Sequence, residues 1–375
     1  MGSNLSNSRV AIIHYWWLVN RGGEAVVSAL IDLYPNADLF VHVCDEELVR
    51  KSLGDKFTGR IIKSFISKLP KSQKHYQKYL PLMPYALEAL DLSEYDLILS
   101  SESGPAKGVI TRPDALHICY CHSPMRYIWD MEHEYRKGMG KFTGKFFAYC
   151  AHKLRIWDVV SVNRVDHFVA NSTFIRSRIK KHYRRSSEVI FPPVSTTTFD
   201  PSKKRKDFYL CLGQLVAYKR ADLAVMAFNE LGLPLVVIGE GELFSELEKT
   251  KNSNIMLLGR QDFSVVKEYL ETCKGLIFPG VEDFGIVPVE AMAAGAPVIA
   301  FDRGGARDTV IDGETGILFQ DQTVESLCNA VEKLESESVQ FDSAALSKSA
   351  KQFDVSMFKQ KISNLVQSSF DDLAG

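Results

Sequence analysis

Short, almost unbroken apolar runs alternate with longer amphipathic stretches along this chain, and they do so in two blocks. RVAIIHY (9–15), ADLFVHV (37–43), YDLILSS (95–101), ALHICYC (115–121) and VDHFVAN (165–171) make the first. FYLCLG (208–213), LPLVVIG (233–239), NIMLLG (254–259), GLIFPG (275–280) and PVIAF (297–301) make the second. Runs of this length suit strands of a parallel sheet covered on both faces. The intervening stretches are long enough for crossover helices. Between the blocks, SEVIFPPVSTTTFDPSKKRKD (187–207) carries three prolines and a basic cluster, the composition of a linker. A chain of 375 residues also exceeds what one core needs. The expected fold is therefore α/β, with two Rossmann-like, doubly wound parallel sheets. The boundaries fall at 9–190, a linker at 191–207, a second domain at 208–352, and a last segment at 353–375.

Several classes of partner and compartment find no support. Net charge is −1, so overall charge argues for no nucleic-acid partner. Seven cysteines without a C-x-x-C pair fit a reducing, cytoplasmic setting. No apolar run approaches the ~18 residues of a membrane span. The start, MGSNLSNSRV, lacks the basic-then-apolar order of a secretion signal. Gly2 and Ser6 match an N-myristoylation pattern, although a short tail without structure is the simpler expectation.

Doubly wound sheets bind ligands beyond the carboxyl ends of their strands. In VEDFGIVPVEAMAAGAPVIA (281–300) a loop leads into a helix that Gly295 and Pro297 end. The N–H groups of Phe284, Gly285 and Ile286 would face out of the helix start, where the dipole favours a phosphate or diphosphate. Glu290 lies one turn in, within reach of a ribose on that phosphate, and Glu282 lies on the loop. Alternatively, both acids simply favour a helix N-terminus. GQLVAYKR (213–220) sets Lys219 and Arg220 after a strand, where two cations can neutralise a leaving diphosphate or serve as a solvated face. Gly22 and Gly23 open a helix after the first strand and permit close backbone approach, without the G-x-G-x-x-G fingerprint. His122, in CYCHSPMRYIWD (119–130), follows a strand end; it can serve a sugar hydroxyl or proton transfer, or be a structural histidine. No D-x-D and no metal-ligand spacing occurs, so no catalytic metal and no cofactor is expected. Asn171-Ser172-Thr173 reads as a helix start capped by Ser172 or Thr173.

Two stretches are basic without a single acid. RIIKSFISKLPKSQKHYQKYL (60–80) and KGMGKFTGKFFAYCAHKLRIW (137–157) interleave Lys and Arg with apolar and aromatic residues. Each fits an anionic membrane surface or a solvated helix face.

Taken in order, these residues resemble the retaining glycosyltransferases of family 4. The resemblance is carried by Glu282 and Glu290 with Phe284-Gly285 between them, by EAMAAGAPVIA, by GQLVAYKR, by Gly22-Gly23 and by the His122-Ser123-Pro124 turn. HSPMRYIWD and LVAYKRADLAVMAF are similar to the O-antigen and exopolysaccharide mannosyltransferase branch. The resemblance implies a GT-B fold, a donor such as UDP-glucose or GDP-mannose on the C-terminal domain, and a lipid-linked sugar acceptor on the N-terminal domain. It implies catalysis without a metal and a final helix (353–370) that crosses back to the first domain; the basic stretches 60–80 and 137–157 would place the protein on the inner face of the plasma membrane. Glu282, His122 and Lys219 take the catalytic positions. Glu290, Phe284, Gly285, Ile286, Gln214, Arg220, Gly22 and Gly23 take donor-binding ones. Gln214 stands where the family usually has arginine, and Arg220 or Arg260 would have to replace that charge. A glycosidase with paired carboxylates and a non-catalytic nucleotide-sugar binder are the competing expectations.

Overall fold

The computed structural model describes residues 8–336 and 340–374, apart from the side chains of 373 and 374. Gly2 and Ser6 lie outside the described residues. The chain divides into two compact units, one formed by residues 1–192 with 358–375 and the other by 193–357.

The first unit holds β1 (Val10–Trp17), β2 (Asp38–Cys44), β3 (Ile61–Lys63), β4 (Leu97–Glu102), β5 (Leu116–Cys121), β6 (His167–Ala170) and β7 (Glu188–Val189). They pair in the order β3-β2-β1-β4-β5-β6-β7, every pair parallel. The second unit holds β8 (Tyr209–Leu212), β9 (Leu235–Ile238), β10 (Ile255–Leu257), β11 (Gly275–Phe278), β12 (Val298–Phe301) and β13 (Gly316–Phe319). Their order is β10-β9-β8-β11-β12-β13, again all parallel. The two doubly wound sheets expected from the runs are therefore present. β1 and β4 flank the switch point of one sheet, and β8 and β11 that of the other, where the strand order reverses and ligands bind.

Continuous apolar runs make these strands because both faces are covered. Ile12 and Ile13 of β1, and Leu276 and Ile277 of β11, are essentially inaccessible. Sequence reading missed β3, β7 and β13, which all sit at sheet edges. Each is four residues or shorter with a single neighbour. Residues 193–207, expected as linker, fold into the second unit. Their basic cluster finds acids far along the chain: Lys203 pairs with Glu268 and Glu271 at 2.7 and 2.8 Å. Arg205 donates to the carbonyls of Leu270, Cys273 and Ala294. The last helix, Val355–Ala374, buries Phe358, Ile362 and Val366. Within the first unit Phe358 packs edge-on to Tyr120, and Lys359 pairs with Asp32.

Candidate active site

In the second unit, the loops leaving β8 and β11 meet backbone to backbone. A Cβ on Gly280 would lie 2.7 Å from Lys219 Cα, so only glycine allows this approach. The chain after β8 runs through a short 3-10 turn, Ala217–Lys219, and Arg220 at φ 56° swings it into the helix Ala221–Leu231. This sets Lys219 Nζ 2.8 Å from a Glu282 carboxylate oxygen. Burial disfavours the charge on Lys219, but Glu282 outweighs it and holds its pKa above the ordinary value. The Glu282 carbonyl also accepts the Gly305 N–H at 2.9 Å, so the loop is tied down from β12 as well.

The helix Ile286–Ala293 starts four residues beyond Glu282, with Gly285 at φ 91° as its N-cap. The N–H groups of Gly285 and Ile286 make no hydrogen bond among the described residues. Phe284 is buried against Phe353, which fixes where the helix begins. Glu290 lies four residues in, about 6 Å along the axis. Its half-buried carboxyl has no ionic partner among the described residues, and burial pushes its pKa up to about 7. Gln214 is exposed on the loop just after β8. Arg220 turns its Nε to the Asp222 carboxylate at 3.1–3.2 Å. One unit thus gathers Lys219, Glu282, an open helix start and Glu290 around its switch point.

Glu290 carries a pH signature. An ordinary glutamate titrates near 4.3, so the folded second unit holds this proton more tightly than the unfolded chain does. Its stability is therefore expected to fall as pH rises from about 4.5 to about 7. Glu290→Gln should remove that slope, read as amide exchange of β11 and β12 at pH 5 and pH 8.

In the first unit, His122 follows β5 on a loop fixed from behind. Its N–H donates to the Glu102 carbonyl at 2.8 Å, and Arg178 donates to the Ser123 hydroxyl at 2.7 Å. Its Nε2 shares Ser101 Oγ, at 2.9 Å, with His14 Nδ1, at 3.1 Å. His14 Nε2 lies 3.7 Å from Glu24. Burial, and then His14, bring the His122 pKa down to about 3, so the ring is neutral around pH 7. Such a ring offers hydrogen bonds and no charge. Gly22 and Gly23 open the helix Gly22–Leu33, and a Cβ on Gly23 would strike the Tyr15 hydroxyl at 2.5 Å. A side chain at 23 would thus have to push the Tyr15 ring aside.

Sequence reading missed His14, Ser101 and Glu24. The available signal was a histidine inside a strand buried on both faces. It also missed Lys107, fully buried between Glu102 at 3.1 Å and Asp158. Asp158 accepts further bonds from Trp129 Nε1 at 2.7 Å and Tyr183 at 3.2 Å. Burial opposes the Lys107 charge, yet the two carboxylates raise its pKa, while burial raises that of Glu102.

Two parallel sheets of this order, one with paired charges at a helix start, define two doubly wound, Rossmann-like domains. Anabaena HepE in complex with UDP and glucose matches 96% of this chain and 100% of its own at a TM-score of 0.68 and 16% identity. The apo lipopolysaccharide outer core galactosyltransferase WaaB matches 96% and 99%, also at 0.68 and 16%. Both likenesses concern the GT-B fold. The family model "Glycosyltransferase Family 4" matches residues 20–198, and "Glycosyl transferases group 1" matches 196–353. The chain belongs to the glycosyltransferases of family 4. An α-1,3/1,6-mannosyltransferase ALG2 of Dictyostelium discoideum is 31% identical over 221 residues, 45% of this chain and 52% of its own. A GDP-mannose-dependent α-(1-6)-phosphatidylinositol monomannoside mannosyltransferase of Mycobacterium tuberculosis is 29% identical over 195 residues, 44% and 51%. The chain spans about half the length of the curated relatives it matches.

Proposed function

We propose that this protein is a retaining hexosyltransferase that carries a sugar from a nucleotide diphosphate donor to a lipid-linked saccharide in cell-envelope or exopolysaccharide synthesis. The observation that carries this is the group of Lys219, Glu282, open helix start and Glu290 at one switch point. GDP-mannose is the first choice of donor, because curated relatives are mannosyltransferases. UDP-glucose is the second.

Each group then has a task. The Gly285 and Ile286 N–H groups and Lys219 hold the diphosphate. Glu290, when ionised, accepts the ribose hydroxyls. Glu282, released from Lys219 by the incoming diphosphate, orients the sugar. His122, in the first unit, is neutral and offers a hydrogen bond to a sugar hydroxyl. The acceptor oxygen bonds the anomeric carbon on the face that the diphosphate leaves. The broken C–O bond leaves its electron pair on the phosphate oxygen, which takes the acceptor's proton. Lys219, Arg220 and the helix start offset the charge that develops there. No metal and no cofactor enters this scheme. The protein would work at the cytoplasmic face of the membrane.

Nucleotide release tests this. Mixed with GDP-mannose and a lipid-linked acceptor, the protein should release GDP, and Glu282→Ala should not. Binding of donor without release would leave a nucleotide-sugar binder. Sugar release from a preformed glycan without nucleotide would leave a glycosidase. GDP at 100 times its Kd should stabilise the protein by about 2.7 kcal/mol; stabilisation by UDP alone would select UDP-glucose.

A further inference from the structure

The helix Lys141–Ser161 carries large apolar side chains on its outer face as well as its inner one. Its inner face carries Gly144, Ala151, Leu154, Asp158 and Ser161, all buried, with Phe147 and Trp157 packed against the core. Asp158 is held there by Lys107, Trp129 and Tyr183. Its outer face carries a second set of apolar side chains. Phe142 is 91% exposed, Phe146 65%, Tyr149 60%, Ile156 51% and Val160 55%. At 100° per residue these positions fall within one arc of about 80°, and they run about 27 Å along the axis. These exposed side chains leave the outer face without a partner in the unit itself.

Charge decides what covers it. Lys153 lies in the same arc, with its ammonium 5.7 Å from the Tyr149 ring centroid. Lys141 and Lys145 flank the arc on one side, both exposed. The helix has one acid, Asp158, and it is buried. The nearest acids before it, Glu132 and Glu134, are paired with Arg136, Arg155 and Lys137. A second copy seated here by symmetry would bring lysines against lysines. An anionic lipid surface meets both features, since rings enter the headgroup layer and lysines stay at the phosphates. No helix among the described residues is long and apolar enough to cross a membrane. The other basic stretch, 60–80, differs. Its Ile66 is buried, and Phe65, Leu69, Tyr76, Tyr79 and Leu80 pack inward on the core, so it offers charge alone.

We propose that the outward face of Lys141–Ser161 docks this protein on an anionic bilayer, with Phe142, Phe146 and Tyr149 inserted and Lys141, Lys145 and Lys153 on the phosphates. The proposal names the surface by which the transferase proposed above would meet its lipid-linked acceptor, and rests on that reading only for this purpose.

The test is co-sedimentation of the full chain with vesicles, without donor or acceptor. Binding is expected to vesicles of equal phosphatidylcholine and phosphatidylglycerol, and not to phosphatidylcholine alone. Phe142→Ser with Phe146→Ser should weaken it at least tenfold with an unchanged unfolding midpoint, because both rings are exposed. Lys141→Glu with Lys145→Glu should do the same, and more so at low salt. The idea falls if the unaltered protein ignores anionic vesicles, or if the double phenylalanine variant binds them equally well. It also falls if the protein is a dimer that the phenylalanine variant converts to monomer. Vesicle binding without any sugar transfer would keep this surface and remove the transferase; transfer without vesicle binding would do the reverse.

Discussion

Lys107→Met is expected to cost the first unit about 3–5 kcal/mol, because it strands two buried carboxylates. Lys107, Glu102 and Asp158 are all inaccessible to solvent. Without the ammonium, Glu102 and Asp158 must share a low-dielectric site with no cation between them. Burial already raises the Glu102 pKa in the intact protein, and removing Lys107 raises it further. A carboxyl whose folded pKa lies above its unfolded one favours the folded state at low pH and loses that advantage as pH rises. The damage should therefore be smaller at pH 5.5 than at pH 8. Tryptophan fluorescence isolates the effect, since Trp16, Trp17, Trp129 and Trp157 all lie in the first unit. Trp129 itself donates to Asp158. A urea midpoint unchanged at both pH values would mean that Lys107 is dispensable.

The second large effect is chemical. Lys219→Ala is expected to slow nucleotide release by about 100- to 1,000-fold, the usual cost of removing one donor to a developing anion. Donor affinity should weaken by roughly tenfold or more, as for a lost charged hydrogen bond. Lys219 and Glu282 touch at 2.8 Å, so their substitutions should not add. Lys219→Ala with Glu282→Ala should be little slower than the worse single variant. Release kinetics within a few-fold of the unaltered protein would remove Lys219 from the chemistry.

The sequence made the sheets and their strand ends legible, because runs such as GLIFPG and RVAIIHY must be buried on both faces. That alone put Lys219, Glu282, Glu290 and His122 at the positions where such sheets hold ligands. What stayed hidden depends on partners far apart in the chain. Ser101 bridges His14 and His122 across a separation of 87 residues on one side, and no periodicity records that. Lys107 and Asp158 are 51 residues apart, and neither looks unusual alone. Basic stretches 60–80 and 137–157 look alike in composition. Only folding turns the rings of one inward and those of the other outward.

The passage of the chain out of the first unit at Pro192 and back at Phe358 makes the second unit an insertion. During synthesis, 193–357 is complete while the first unit still lacks Phe358, Ile362 and Val366, which are 1–2% exposed once in place. Domains close in the order in which their last residues emerge. The unit that begins the chain is therefore the later to finish. Until the helix Val355–Ala374 has emerged, the apolar surface that these three side chains cover stays open, and a nascent chain stalled near 350 would present it to chaperones.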